Sequence, residues 1–501
     1  MTRLTLGLQP ATCARYNRAA GLKGFPARLG VQCMVRHLVT IDDLSEAEIE
    51  SIFTLTDEFL ADSDLATPGK PWRVQGRKSI ADRFILATLF YEASTRTRFS
   101  FESAMIRLGG QVLSSADPKT TSAAKGETIA DTIRVLQNYA DAIVIRHPCE
   151  GSVRVAADYA DVPIINAGDG GHEHPTQTLC DLYTLRREKG KLKGLNVLLW
   201  GDLKNGRTVH SLVYGLARFG ARIIPLPAEG FGLPEHVTRR LLRDYDCVPL
   251  SRDDVPDTKG DEFPVDVVYV TPEKPHQRSL FSDVKEKGTE VLKVRLPHNA
   301  LSKIDACYVT RLQKERISGD APGEGYPVVD TQFLKDRRYK QSSVMHPLPR
   351  VNELGYDLDD DARAVYFKQA SYGVPVRMAL IAALLNIKPQ ILEGAPPTKK
   401  HPLYTRPTMV CDNPQCVTAL ETEQRYLTPK YLVIIEDARL TLRCIYCEHE
   451  TVPEFVGRTS TRKYEPNRMR WESLPDDIVL FPDEPSAIAA GFQPYKQKVK
   501  V

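Results

Sequence analysis

Short apolar runs that each lead into a helical pattern recur from about residue 83 to residue 390, and this alternation limits the chain to a small set of folds. RFILATLFY (83–91) and DAIVIRH (141–147) read as buried strands, and LNVLLWGD (195–202) opens a second series. A helix is expected from about Arg207 to Phe219, with Gly220 as its stop. Alternation of this kind predicts an α/β chain with two doubly wound parallel-sheet domains. With 501 residues, the chain exceeds what one hydrophobic core usually serves. At 42% hydrophobic and 26% charged, with no apolar run long enough to span a bilayer, it reads as soluble and globular, not as a membrane protein.

The formal net charge of +3 gives no broad nucleic-acid footprint, so basic residues matter only where they cluster. One cluster lies in FYEASTRTRFSFE. Phe101, Ala104, Met105 and Leu108 keep helical spacing and Gly109-Gly110 ends the pattern, which puts Ser94, Thr95, Arg96 and Thr97 on a helix's first turn. There, free backbone N–H groups, the positive dipole end, hydroxyls and a guanidinium converge, which is the equipment for holding a phosphate.

Arg146 and His147 fall directly after a predicted strand, at the end where ligands bind in such sheets. The loop NAGDGGHEH ends at Pro175, a first-turn helix residue, so His174 and Gln177 sit at another helix start. An imidazole there can donate to a carbonyl oxygen that gains negative charge, and a glutamine amide can orient an amino group. Lys125 in TTSAAKGET, Arg207 in GDLKNGRTVHS, Arg311, Gln313 and Arg316 in TRLQKER, and Leu348-Pro349 in MHPLPRVNE complete a set of strand-end loops. Surface ion pairs contribute only about 0–1 kcal/mol each, so this concentration of cations points to substrates with several negative charges.

In this order EASTRTRFSFE, KGETIADT, RHPCEG, GDGGHEHPTQTLCDL, GDLKNGRTVHSL, TRLQKER and HPLPR closely resemble the aspartate carbamoyltransferase catalytic chain, over roughly residues 34–390. The resemblance implies condensation of carbamoyl phosphate with L-aspartate to N-carbamoyl-L-aspartate and phosphate, in pyrimidine synthesis, with no cofactor for the chemical step. It implies that Ser94, Thr95, Arg96 and Thr97 hold carbamoyl phosphate with Arg146, His174 and Gln177. It further implies that Lys125, with Thr121 or Ser122, reaches in from a neighbouring subunit of a homotrimer or dimer of trimers. Arg207, Thr208, Arg311 and Gln313 would hold the aspartate carboxylates, and the Leu348-Pro349 backbone would close on both substrates. Glu92 resembles the family's interdomain glutamate and is expected to pair with Arg207 or Arg316 on domain closure. Ornithine carbamoyltransferase shares the STRTR start, but the arginines of TRLQKER and HPLPR suit a second carboxylate. A non-catalytic scaffold would not need the cationic set.

Cys411, Cys416, Cys444 and Cys447 form Cys-x4-Cys and Cys-x2-Cys pairs, the spacing of a closed structural zinc site. VCDNPQC and LRCIYCE also resemble the zinc domain of the aspartate carbamoyltransferase regulatory chain. The short linker before them leaves no room for that chain's nucleotide-binding domain, and the module is expected to strengthen contacts between catalytic chains.

The expected organisation is a basic extension (1–33), a carbamoyl-phosphate-binding domain (34–187) completed by a helix at about 370–393, and an aspartate-binding domain (188–369) with an insertion at about 255–300. A linker (394–408), a zinc module (409–457) and a tail (458–501) follow. VDVVYVTP at 265 and IDACYVTR at 304 look like one strand ending written twice, of which one is expected to be inserted. Residues 1–41 lack Asp and Glu, a transit-peptide bias, while Met34 offers a competing start. A cytoplasmic location is expected.

Overall fold

The computed structural model describes residues 35–495 apart from 117–121, 194–195, 202, 205–206, 221, 228–232, 248–264, 271–303, 310–328, 336–339, 341, 351–352, 393–400, 406–408, 421–425, 437–438, 468–474 and 476. In the first half, helix α1 (Glu46–Ala61) starts at a capping box in which Ser45 accepts from the Glu48 N–H and Glu48 reaches back to Ser45. Then come β1 (Ile85–Phe90), α2 (Thr95–Leu108), β2 (Gln111–Ser115), α3 (Ile129–Leu136), β3 (Ala142–His147), α4 (Ser152–Asp158), β4 (Ile164–Asp169) and α5 (Pro175–Lys189). The strands pair in parallel in the order β2-β1-β3-β4. Their carboxyl ends therefore share one edge, from which the loops to α2 and α5 emerge.

The second half holds β5 (Asn196–Gly201), α6 (Arg207–Arg218), β6 (Arg222–Pro227), α7 (Glu235–Tyr245), β7 (Val265–Val270), β8 (Ile304–Val309) and β9 (Ser343–Met345). These strands are also parallel, in the order β9-β8-β7-β5-β6. Two parallel sheets with crossover helices are the α/β architecture that the alternation predicts.

Both strands of the doubled ending belong to this sheet, where β7 pairs with β5 on one side and β8 on the other, with Val265 opposite Ile304. Both copies occupy interior positions of the five-stranded sheet.

Helix α8 (Tyr366–Leu384) returns to the first half and packs on α1, α2 and α5, buried nearly all round. An antiparallel sheet follows, of β10 (Leu403–Tyr404), β11 (Tyr431–Glu436), β12 (Arg439–Cys444) and β13 (Glu450–Thr451). Leu403–Tyr404, within the expected linker, is thus its edge strand.

The tail forms a second small sheet of β14 (Phe455–Arg458), β15 (Lys463–Pro466), β16 (Ile478–Phe481) and β17 (Gln493–Pro494), with α9 (Glu484–Ala489) beside it. Tyr464, Val479, Phe481, Ala487 and Phe492 form its core. Among the described residues no helix is long and apolar enough to cross a membrane.

Candidate active site and cysteine centre

Ser94 stands at the N-cap of α2 in extended backbone and makes no side-chain capping bond, so the first-turn N–H groups of Thr95 to Thr97 keep their outward-facing donors. Arg96 is exposed at this start, and its charge reaches His346 of the turn after β9. Sequence-distant loops thus meet at one edge.

Arg146 leaves the end of β3 buried, with Nη1 donating to the Ala167 carbonyl at 3.3 Å and Nη2 to Glu92 Oε1 at 3.0 Å. The backbone of Gly168 lies against it: a Cβ there would stand 3.2 Å from Arg146 Nη1 and 3.4 Å from His174 Cδ2, at a φ of +115° that disfavours side chains. This glycine lets the guanidinium and the imidazole flank one position. His174 is buried, and its backbone N–H donates to Ser211 Oγ of α6 at 3.1 Å, which ties the halves together behind the site.

Gln177 donates to Asp181 Oδ1 at 2.8 Å, one helical turn along α5. His147, beside Arg146, is an acceptor: burial lowers its pKa to about 4, and its Nδ1 receives the Cys149 N–H at 3.1 Å.

In the turn after β9 the Leu348-Pro349 peptide is cis and Leu348 has φ +50°. A bulky residue in that region is strained, and here it is held by His346, whose Nδ1 accepts the Leu348 N–H at 2.8 Å. His346 Nε2 in turn contacts Glu353 Oε1 at 2.9 Å; burial keeps the ring's pKa low, against the pull of Glu353.

Ser122 and Lys125 are exposed on a single turn (Ser122–Lys125) beyond this edge. Thr208 lies on the first turn of α6. Thr121, Arg311, Gln313 and Arg316 lie outside the described residues, as does the Arg207 side chain. Glu92 pairs with Arg146 at 3.0 Å, and its expected pairing with Arg207 or Arg316 falls on side chains outside the described residues.

The four cysteines of the pairs are buried, with sulfurs all within 4.8 Å of one another, Cys411 to Cys447 at 3.6 Å and Cys416 to Cys444 at 3.8 Å. Tetrahedral coordination with metal–sulfur bonds of about 2.3 Å requires sulfurs about 3.8 Å apart, so the cluster fits a closed structural metal centre.

This module is bound to its own chain. Glu150 donates its N–H to the Gln415 carbonyl and accepts the Val417 N–H, each at 2.9 Å, and its carboxylate takes Asn413 Nδ2 at 2.7 Å. Gly151, at φ +82°, is pressed on Tyr446, where a Cβ would approach to 2.5 Å. From the other half, Arg240 pairs with Glu448, Arg243 with Glu450 at 3.0 Å, and Asp244 with Arg443 at 2.6 Å.

Between the module and both halves lies a cavity of about 580 Å³ lined by His172, Glu173, His210, His236, Arg240 and His449 among others, and, among the described residues, by none of the expected substrate residues. These contacts escaped the sequence. Gly151 after a strand end was their one local sign.

Two parallel sheets whose strand-end loops carry helix starts, buried Arg146 and His174 around Gly168, and the Leu348-Pro349 turn define a two-domain transferase of anionic substrates. Residues 36–187 match the model of the aspartate/ornithine carbamoyltransferase carbamoyl-P binding domain, and residues 260–384 that of its Asp/Orn binding domain. Residues 407–454 match the metal binding domain of the aspartate carbamoyltransferase regulatory chain.

The aspartate carbamoyltransferase catalytic subunit of Clostridium botulinum strain Langeland is 39% identical over 359 residues, 70% of this chain and 99% of the relative. That of Methanocaldococcus jannaschii is 41% identical over 356 residues, 70% and 98% of the two chains. Among solved structures, the M. jannaschii catalytic subunit covers 71% of this chain and 99% of its own, at TM-score 0.53 and 37% identity. Aspartate transcarbamoylase of Trypanosoma cruzi in complex with N-(phosphonacetyl)-L-aspartic acid covers 69% and 94%, at TM-score 0.51 and 31% identity. The chain belongs to the aspartate/ornithine carbamoyltransferase family, and it carries in addition a module like the metal binding domain of the regulatory chain.

Proposed function

We propose that the gathered strand-end residues bind carbamoyl phosphate and L-aspartate and carry the chain's activity, aspartate carbamoyltransferase, which forms N-carbamoyl-L-aspartate and phosphate. The observation that carries this reading is the pairing of buried Arg146 with His174 around Gly168, next to the α2 start. In this reading Ser94, Thr95, Arg96 and Thr97 hold the phosphate, and Thr97, Arg146 and His174 stabilise the oxyanion as the deprotonated amine of aspartate attacks. Gln177 orients the carbamoyl amino group. The tetrahedral intermediate then collapses, phosphate departs as its bond to the carbonyl carbon breaks, and the amine proton passes to solvent or to phosphate.

Arg207, Thr208, Arg311 and Gln313 hold the aspartate carboxylates, and the Leu348-Pro349 turn closes over both substrates. On closure Glu92 pairs with Arg207 or Arg316. Lys125, with Thr121 or Ser122, serves the site of a neighbouring subunit, which the exposure of Ser122 and Lys125 supports and which makes the unit a homotrimer or dimer of trimers. Zinc is the metal favoured by four thiolates in a closed tetrahedron, where it adds folding free energy to the module. The reducing cytoplasm suits thiolates kept for a metal.

Steady-state assay of wild type against Arg311→Ala tests the assignment. The variant is expected to raise KM for aspartate by about two orders of magnitude, as loss of a carboxylate-binding guanidinium predicts. An unchanged KM would remove Arg311 from the site.

A further inference from the structure

We propose that Asp181 and Gln369 are positioning residues that hold the Gln177 amide in register with the Leu348-Pro349 turn, an inference that rests on placing Gln177 and that turn at the substrate site. The connection is continuous. Gln177 Nε2 and Gln369 Nε2 both donate to Asp181 Oδ1, each at 2.8 Å. Gln369 Oε1 accepts the backbone N–H of His346 at 2.9 Å, and His346 Nδ1 accepts that of Leu348 at 2.8 Å. His346 Nε2 then gives its proton to Glu353 Oε1 at 2.9 Å, which fixes the tautomer.

The chain runs through the core, not over the surface. Asp181 is 1% exposed, Gln369 2%, His346 1% and Glu353 4%. Burying such groups costs free energy unless each is hydrogen-bonded, and α5 and α8 would pack as well through apolar side chains. The polar bridge is explained by what it orients.

An ionised carboxylate only accepts hydrogen bonds, so Asp181 compels both glutamines to turn their NH2 groups toward it. Gln177 therefore presents its carbonyl oxygen away from Asp181. That is the end a carbamoyl NH2 group needs, since this group can only donate. Gln369, with NH2 committed to Asp181, has its carbonyl left for His346, which places the turn. One carboxylate oxygen thus sets the polarity of both halves of the site.

The test is a kinetic cycle on the full-length, metal-loaded protein. Gln177→Ala, Asp181→Leu, the double variant, Asp181→Asn and Gln369→Met are compared for KM of carbamoyl phosphate, KM of aspartate and kcat, with thermal midpoints recorded alongside. Asp181→Leu is expected to raise KM for carbamoyl phosphate about tenfold, and the double variant to fall within about twofold of Gln177→Ala, because Asp181 acts through Gln177. Asp181→Asn keeps an acceptor oxygen and is expected to recover most of the loss. Gln369→Met is expected to raise both KM values together by about threefold or more.

If Gln177→Ala leaves KM for carbamoyl phosphate unchanged, the placement of Gln177 fails and takes the inference with it. If Gln177→Ala raises that KM but the Asp181→Leu effect is absent, or multiplies with it in the double variant, the positioning role alone is overturned. Should Asp181→Leu not fold, Gln369→Met decides: wild-type kinetics in that variant would overturn the bridge.

Discussion

Arg240 of α7 pairs with Glu448, the residue directly after the last cysteine of the metal cluster, and the same guanidinium pairs with Asp42 ahead of α1. One buried cation therefore joins the second half, the metal module and the N-terminal segment. Its face also lies 4.1 Å from the Tyr214 ring centroid. Burial alone would raise the Asp42 pKa, but Arg240 and Arg218 hold it below the usual carboxylate range.

Removing this cation strips its pairing from two carboxylates, leaving Asp42 with Arg218 and Glu448 with His172. Arg240→Ala is expected to cost about 3–5 kcal/mol of stability, as for one partner of a buried pair. Denaturant unfolding followed by tryptophan and by far-UV signals checks it. A loss below about 1 kcal/mol would mean that the pair is effectively solvated.

Metal removal is expected to undo the module and not merely empty it, because the four thiolates sit in its core. Elemental analysis should give one metal per chain, and Cys416→Ser should lose it. Chelation should expose Cys411, Cys416, Cys444 and Cys447 to a thiol reagent. Thiols that stay protected after the metal has gone would contradict a metal-dependent core.

Stability should also depend on Glu173. Burial raises its pKa to about 8 from 4.5, with His172 and Arg240 opposing the shift and Glu448 and Asp42 adding to it. The folded state thus holds a proton that the unfolded state releases. This contribution is complete below about pH 4.5 and declines as pH rises to about 8, by a few kcal/mol at the order-of-magnitude level. Glu173→Gln, permanently neutral, is expected to gain in melting temperature relative to wild type across that window. A difference that is flat with pH would show that Glu173 is ionised in the fold.

Glu92→Gln separates its pairing with Arg146 from the one proposed with Arg207 or Arg316. In the structure Glu92 neutralises Arg146 at 3.0 Å, so its loss should leave carbamoyl phosphate binding equal or tighter. The closed-state pairing would be lost, and kcat is expected to fall about tenfold or more. Weaker carbamoyl phosphate binding with kcat intact would place Glu92 at the ligand instead.

Local chemistry made much of this legible. The Ser94 helix start, Pro175 at the first turn of α5, and the paired cysteines each declare themselves within a few residues, because caps, turns and metal ligands have short sequence signatures. What stayed hidden depends on pairing across the chain. Glu150 meets Gln415 and Val417 only after folding, and Gln369 finds Asp181 across two helices. The repeat at 265 and 304 likewise takes its place only on pairing, as two neighbouring parallel strands of one sheet.

The central claim is the identity of the acceptor, and isotope tracing tests it most directly. Purified protein is supplied with carbonyl-labelled carbamoyl phosphate and an equimolar mixture of L-aspartate and L-ornithine, and the products are separated. The account predicts label in N-carbamoyl-L-aspartate with stoichiometric phosphate, and none in citrulline. Label in citrulline, or phosphate released without a labelled carbamoyl amino acid, would contradict it.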